Sequence, residues 1–371
     1  MNKPLYKKVV VKIGSALLTD GGKGIDHKMI THWVSQMAHL RALSVDIVLV
    51  SSGAIVEGIR RLGLKSRPAS ISGLQAMAAV GQMGLTQAYE ACFKQHGLHC
   101  AQILLTHDDL ANRKRYLNAR STLRTLLGYR VIPVVNENDT VANEEIRFGD
   151  NDTLGALVAN LIEADLLIIL TDQEGLYDSN PADNASATLI NRAAANDPVL
   201  VSYAGSGSGH LGRGGMQTKV NAARLAARSG THTIIASGKQ ADIIARLVTG
   251  EAIGSFLEAD TGHLAARKQW LAGHMRCSGA LQLDDGAVNV LQNNNASLLP
   301  VGVKQVSGRF KRGEVVACVD GDAIEVARGL VNYDSDECRQ IMGKPSTQIA
   351  KILGYEDGPE LINRDNLVLT R

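Results

Sequence analysis

Six short apolar runs constrain this chain more than any other feature: Val9–Ile13, Asp46–Val50, His99–Leu105, Val131–Val135, Leu166–Leu170 and His232–Ala236. Their apolar residues follow one another instead of alternating with polar ones. A strand that alternates has one wet face, whereas a strand that does not is covered on both. Between the runs lie segments with apolar residues at i, i+3 and i+4, among them Met29–Leu43, Leu74–His96, Thr153–Ala164 and Met216–Ala227. Doubly buried strands separated by amphipathic helices predict an α/β domain with a mostly parallel sheet. Aromatic residues are only 4% of the chain, so its core must be built from Ala, Val, Leu and Ile.

The pattern changes near Glu258. Residues 259–277 carry mixed charge with little periodicity and read as a linker. From 278 to 371 the chain breaks into short segments bounded by turn signals: Asp284-Asp285-Gly286, Gly308, Lys311-Arg312-Gly313 and Asp320-Gly321-Asp322. Leu298–Val306, Glu314–Val319 and Ile324–Val331 read as strands, and Ser346–Leu353 as a helix. A layered domain over 1–258 and a small β-rich domain over 278–371 are expected.

Charge and cysteine usage narrow the function classes. The whole chain carries +2, too little for a protein whose main partner is nucleic acid or an anionic membrane. Residues 278–371 hold 10 Lys plus Arg against 13 Asp plus Glu, so the tail is acidic. The five cysteines are scattered with no C-x-x-C pair, which fits a reducing compartment. No apolar run approaches the ~18 residues of a membrane span, and Val9–Val11 is too short for a signal-peptide core. A soluble, cytoplasmic protein is expected.

In an open parallel sheet, ligands bind beyond the carboxyl ends of the strands. Here those ends read Lys12-Ile13-Gly14-Ser15, Ser51-Ser52-Gly53-Ala54, Asn136-Glu137-Asn138-Asp139-Thr140 and Thr171-Asp172. Small and polar groups after four strands suggest one shared site along the sheet edge. Taken alone, Lys12 fits a lysine snorkelling from a strand end as well as it fits a phosphate contact. Ser51-Ser52-Gly53, taken alone, fits an ordinary helix cap. A second acidic and amide cluster, Gly149-Asp150-Asn151-Asp152, opens the helix at Thr153. Clustered acids repel unless they meet a cation, an ammonium group or metal-bound phosphate.

Six glycines lie between Gly205 and Gly215, in a loop ending Gly212-Arg213-Gly214-Gly215-Met216-Gln217-Thr218-Lys219. A glycine-rich loop running into a helix can cradle phosphate with its amides. The spacing is not that of a Walker A loop, and its late position is not that of a dinucleotide fingerprint. Lys219, in the first helical turn, could reach a phosphate held there. Two lysines, several glycine-flanked helix starts and a carboxylate cluster make a constellation for phosphoryl transfer, in which catalysis is mostly positioning plus cationic stabilisation. No G-x-S-x-G, H-E-x-x-H or defensible Cys–His pair supplies a nucleophile with a base. A carboxylate acceptor, with a pKa near ~4.3, needs none.

These segments resemble the glutamate 5-kinases of the amino-acid kinase superfamily. The matching pieces are Val11–Ser15, Val50–Ile55, Val80-Gly81-Gln82, Leu117–Arg120, Pro133–Asp139, Phe148–Asp152, Leu170–Tyr177 and Gly214–Lys219. The tail resembles a PUA domain through Ser297–Val303 and Gly308–Val315. The resemblance implies a three-layer sandwich around a mostly parallel sheet, with a small β-rich PUA-like domain after it. It implies ATP-dependent phosphorylation of the side-chain carboxylate of L-glutamate, the first step of proline synthesis, with feedback inhibition by proline. By the same resemblance Lys12 and Lys219 flank the phosphates, and Asp152 organises them. Ser52, Asp139 and Asn151 hold glutamate, with Asn136 and Asp150 nearby. Thr171, Asp172 and the loop Arg213, Gly214, Gly215, Met216, Gln217, Thr218 and Lys219 bind ATP, whose phosphates carry Mg²⁺. A dimer or tetramer is also implied. Arg213 departs from the threonine usual in the family, which leaves no specific role assigned at 213.

Two other readings compete. A sister kinase acting on N-acetylglutamate or aspartate would share the fold, but an acetylated amine offers no cation to the acids Asp139 and Asp150. RNA binding through the tail is opposed by its net negative charge, although Lys304, Arg309, Lys311 and Arg312 form a local basic stretch.

Overall fold

The computed structural model describes residues 3–19, 24–141, 151–205, 215–260, 277–294 and 296–370. The chain divides into two compact units, Met1–His263 and Leu264–Arg371. Most of the linker expected over 259–277 lies outside the described residues.

All six uninterrupted apolar runs form strands of the first unit. They are β1 (Lys8–Ile13), β2 (Asp46–Ser51), β3 (Cys100–Leu105), β4 (Ile132–Glu137), β5 (Leu166–Thr171) and β7 (His232–Ser237). Two short strands join them, β6 (Arg192–Ala194) and β8 (Ser255–Glu258). The sheet order is β3-β4-β2-β1-β5-β7-β8-β6. Pairing is parallel from β3 through β7. It reverses at β8, which runs antiparallel to β7 and parallel to β6.

The helices of this unit include α1 (Ser15–Leu18), α2 (His27–Ala42), α3 (Ala54–Arg61), α4 (Ile71–Gln95), α5 (His107–Ala111) and α6 (Arg113–Gly128). Later come α7 (Asn151–Ile162), α8 (Val199–Ala204), α9 (Met216–Ala227) and α10 (Ile243–Val248). Asp26 caps α2 by accepting from the amides of Lys28 and Met29, and Ser70 caps α4 by accepting from Gly73. Each cap satisfies amide donors that a helix start leaves open. The strand side chains separate into two cores. Val9, Val11 and Ile13 pack with Trp33, Leu85 and Phe93 on one face. Val10 packs with Leu123, Leu154 and Val220 on the other. Both faces of β1 are therefore dry, as its unbroken apolar run requires, and helices on either face make a three-layer sandwich with the sheet in the middle.

The second unit has a five-stranded sheet, β9 (Gly279–Leu283), β10 (Val303–Gly308), β11 (Val315–Val319), β12 (Glu325–Leu330) and β13 (Leu367–Leu369), in the order β10-β9-β11-β12-β13. It closes its own core around Leu281, Val316, Tyr333 and Ile341. Two expectations are corrected here. The turn signal at Asp284-Asp285-Gly286 is a helix start: Asp284 accepts from the amide of Ala287 at 2.7 Å and opens α11 (Asp285–Asn294). The strand expected from Leu298 begins only at Val303, after a 3₁₀ turn at Pro300–Gly302, because proline fixes φ and offers no ladder donor. A further helix, α12 (Ser335–Ile341), carries a capping box between Asp334 and Glu337. The helix expected over Ser346–Leu353 is a 3₁₀ turn at Ser346–Gln348 running into α13 (Ile349–Leu353).

Candidate active site

Parallel pairing sets β2, β1 and β5 side by side, so their carboxyl ends open on the same edge. Lys12 lies within β1, opposite Val50 on one side and Ile169 on the other. It does not snorkel. Its side chain is only 6% exposed, and Nζ lies 2.6 Å from Oδ1 of Asp152. Asp152 is the second residue of α7 and is 1% exposed. Its other oxygen, Oδ2, accepts from Lys219 Nζ at 3.1 Å and from Thr218 Oγ1 at 2.7 Å. Lys219 and Thr218 sit in the first turn of α9, after the glycine cap Gly215. One buried carboxylate thus holds two buried ammonium groups from a strand and a helix far apart in the chain.

Electrostatics explain why this buried trio persists. Burial alone would raise the Asp152 carboxyl. The charges of Lys12 and Lys219, with hydrogen bonds from Lys12 and Thr218, outweigh it and hold the group well below the usual carboxylate range. The trio keeps one net positive charge in a dry site. Such a charge attracts an anion far more strongly than it would in water.

Beside it runs a chain of side-chain hydrogen bonds. Asn151 Nδ2 donates to Ser52 Oγ at 2.7 Å and to Asn136 Oδ1 at 3.0 Å. Asn136 Nδ2 donates in turn to Gln82 Oε1 on α4 at 2.7 Å. Asn151 Oδ1 is buried and accepts nothing among the described residues. Ser52 does not cap α3. The cap residue is Gly53, at φ +103°, a backbone shape that glycine adopts without strain. That frees Ser52 Oγ to face Asn151. The neighbouring Ser51 Oγ is tied to Tyr89 OH at 2.9 Å. Close packing of α3 on α4 holds this strand end in place. A Cβ at Gly81 would fall 1.8 Å from the Ala54 carbonyl oxygen, and one at Gly58 would fall 1.9 Å from that of Met77.

Asp139 follows β4 and is half-buried. Its carboxyl is pushed up to about 7, first by burial and then by the charge of Glu137, with Arg67 opposing. No hydrogen bond joins it to Ser52 or Asn151. Thr171 ends β5, buried, and donates to the exposed Asp172 at 3.0 Å. Met216 and Gln217 begin α9. Asp150, Arg213 and Gly214, expected at this site, lie outside the described residues.

Two residues at this site had no role in the sequence reading. Gln82 belongs to a quoted motif, but its bond to Asn136 crosses 54 positions and leaves no local mark. Glu137 sat inside an acidic run, and nothing in that run said it would be buried.

Comparison with known proteins shows the family. The model of the amino acid kinase family matches residues 7–237, and that of the PUA domain matches residues 279–353. The glutamate 5-kinase of Chromohalobacter salexigens is 60% identical over 98% of this chain and 96% of its own. That of Pseudomonas fluorescens is 60% identical over 97% of both chains. That of Methylococcus capsulatus is 59% identical over 99% of this chain and 98% of its own. With its trio of buried charges at the edge of a parallel sheet and these relatives matched along nearly its whole length, the chain belongs to the amino acid kinase family, among the glutamate 5-kinases that carry a PUA domain.

Proposed function

We propose that the protein transfers the γ-phosphoryl group of ATP to the side-chain carboxylate of L-glutamate, giving L-glutamyl 5-phosphate and ADP, and so opens proline synthesis in the cytoplasm. The observation that carries this reading is the clamp of Lys12 and Lys219 on Asp152. The phosphoryl group being transferred spreads its charge over its equatorial oxygens, and two fixed ammonium groups in a dry site suit it. Because Asp152 already orients them, little reorganisation is needed when that charge develops.

A carboxylate oxygen of the substrate attacks the γ-phosphorus as the bond to the ADP oxygen breaks. The attacking group is ionised at neutral pH, so no base is required. Lys12 and Lys219 contact the phosphates, while the first turn of α9 with Gly215, Met216, Gln217 and Thr218, and the β5 end at Thr171 and Asp172, support the nucleotide. Mg²⁺ would be held chiefly by the ATP phosphates, its natural ligands, since Lys12 and Lys219 beside them are cationic. Ser52, Asn136 and Asn151 orient the amino acid, with the open Oδ1 of Asn151 as an acceptor for its ammonium group. Asp139 supplies the matching negative charge. An N-acetylated acceptor would leave that charge unanswered, which favours a free amine. In the second unit, Arg312 is committed to an ion pair with Asp357, which weakens the basic stretch as an RNA site.

The test is ATP-dependent hydroxamate formation in hydroxylamine, which traps an acyl phosphate, run with L-glutamate, N-acetyl-L-glutamate and L-aspartate. A signal with L-glutamate alone, lost in Lys12→Ala and Lys219→Ala, is expected. A signal with another acceptor replaces the substrate, and no signal with any acceptor sinks the reading. Inhibition by proline in the same assay, and a dimer or tetramer in sedimentation, are the further expectations of membership in this family.

A further inference from the structure

The chain of amides beside the clamp has a direction, and that direction is set on α4, away from the phosphoryl-transfer chemistry. A primary amide has a donating end and an accepting end, so a buried chain of them is satisfied only when every member points the same way. The chain starts at Thr86, half-buried one turn after Gln82. Thr86 Oγ1 donates its one proton to the carbonyl oxygen of Gln82 at 2.9 Å. Toward a further partner it can only accept, and Gln82 Nε2 faces it at a longer 3.4 Å. That turns Oε1 of the buried Gln82 toward Asn136, whose Nδ2 donates to it at 2.7 Å. Asn136 is then left with Oδ1 to offer, and Asn151 Nδ2 donates to it at 3.0 Å. The same Nδ2 donates to Ser52 Oγ at 2.7 Å. The accepting end of Asn151, Oδ1, is thereby left over, buried and without a hydrogen-bond partner among the described residues.

We infer that Gln82 is a positioning residue for amino-acid specificity: by fixing the polarity of Asn136 it holds Asn151 with Oδ1 as the open acceptor, so that the site answers a substrate ammonium group. The inference rests on the reading of Asn151 as a contact of that group. Gln82 acts only through the two asparagines. Were Asn136 turned over, its Nδ2 would face Asn151 Nδ2, two donors with no acceptor between them. Asn151 would then turn as well and present its donating end to a cation, which repels it. Because Gln82, Asn136 and Asn151 are all buried, water is poorly placed to repair a reversed member, and an unsatisfied buried amide is costly. Glycine at 81 lets α4 come close enough for this contact, since a Cβ there would fall 1.8 Å from the Ala54 carbonyl oxygen. Ser52 Oγ accepts from Asn151, which leaves its own proton for a substrate carboxylate. An ammonium-free dicarboxylate can use Ser52 but gains nothing from Asn151 Oδ1.

The test compares L-glutamate with glutarate, which keeps both carboxylates and lacks the amine, in the hydroxamate assay at saturating ATP. Wild type should prefer L-glutamate. Gln82→Leu is similar in size but offers Asn136 no acceptor. It should reduce the preference, read as the ratio of kcat/KM values, by roughly tenfold, in keeping with the cost of an unsatisfied buried amide. The loss should fall on KM for L-glutamate, with KM for ATP and for glutarate little changed. Gln82→Glu still presents an accepting oxygen to Asn136 and should retain the preference. A merely structural role would weaken both acceptors alike, so an unchanged ratio in folded Gln82→Leu overturns the inference. If that variant does not fold, Thr86→Val decides. With no acceptor for Nε2 the Gln82 amide is free to turn, so the same selective loss is expected, and Thr86→Ser should restore the ratio. An unchanged ratio in Thr86→Val then overturns the inference. Asn151→Ala separates the two levels. If it leaves the preference for L-glutamate intact, the underlying reading of Asn151 fails. If it abolishes the preference while Gln82→Leu keeps it, only the role of Gln82 fails.

Discussion

Replacing Asp152 by Asn removes the charge between two buried lysines and keeps the shape. Each ammonium lies about 3 Å from a carboxylate oxygen, which at an effective dielectric constant near ~20 is an attraction of about 5 kcal/mol. Desolvation of the ions offsets much of that, and breaking a buried pair by removing one partner typically costs about 3–5 kcal/mol. Asn retains one acceptor oxygen, so a loss near the lower end, about 3 kcal/mol, is expected for the free enzyme at pH 7. If the same energy orients the lysines toward the phosphoryl group, kcat falls roughly a hundredfold at ~1.36 kcal/mol per decade. Bound MgATP places phosphates against the two lysines, so the stability gap should narrow with nucleotide present. The pH dependence has a definite sign. The folded carboxyl is depressed, so its stabilisation is complete above the unfolded value near ~3.9 and is lost as pH falls below it. Asn has no such contribution, and the gap between wild type and variant should close in acid. Urea unfolding of both proteins at neutral pH and at about pH 2.5, well below the unfolded value, with and without nucleotide, measures this. A variant as stable as wild type at pH 7, or a gap that does not respond to pH, would refute the buried-clamp reasoning.

Other substitutions probe the frame around the clamp. Gly81→Ala drives a methyl group into the Ala54 carbonyl and should cost about 3 kcal/mol or more by overpacking, seen as a large drop in Tm together with a higher KM for glutamate. Gln82→Ala strips Asn136 of its acceptor. It should raise KM for glutamate about tenfold, consistent with the ~1–3 kcal/mol cost of an unsatisfied buried group, while KM for ATP changes little. Tyr89→Phe deletes the bond to Ser51 and should lower stability by about 1 kcal/mol in thermal unfolding.

The parallel sheet was legible because its signal is local. An unbroken apolar run such as Leu166–Leu170 can be satisfied only between two dry layers, and all six such runs became strands. The strands β6 and β8 escaped notice because three or four residues beyond the central strands carry no comparable run. In the tail, aspartates at 284 and 334 serve turns and helix caps alike, since both use the same side-chain acceptor. Packing of α11 and α12 on the second core decided between them.

At the candidate site, the chain by itself marked which strand ends gather, because parallel strands open at one edge and small polar residues follow four of them. Two lysines, glycines and acids in that sequence suggested phosphoryl transfer. Partnership was decided only in three dimensions. Asp152 meets a lysine 140 residues before it and another 67 after it, and Asn136 meets Gln82 across a helix. Periodicity records which face a residue presents, whereas pairing depends on the order in which strands and helices are laid side by side. Burial is equally non-local, and it is burial that turns Lys12 from a solvated cation into an oriented one.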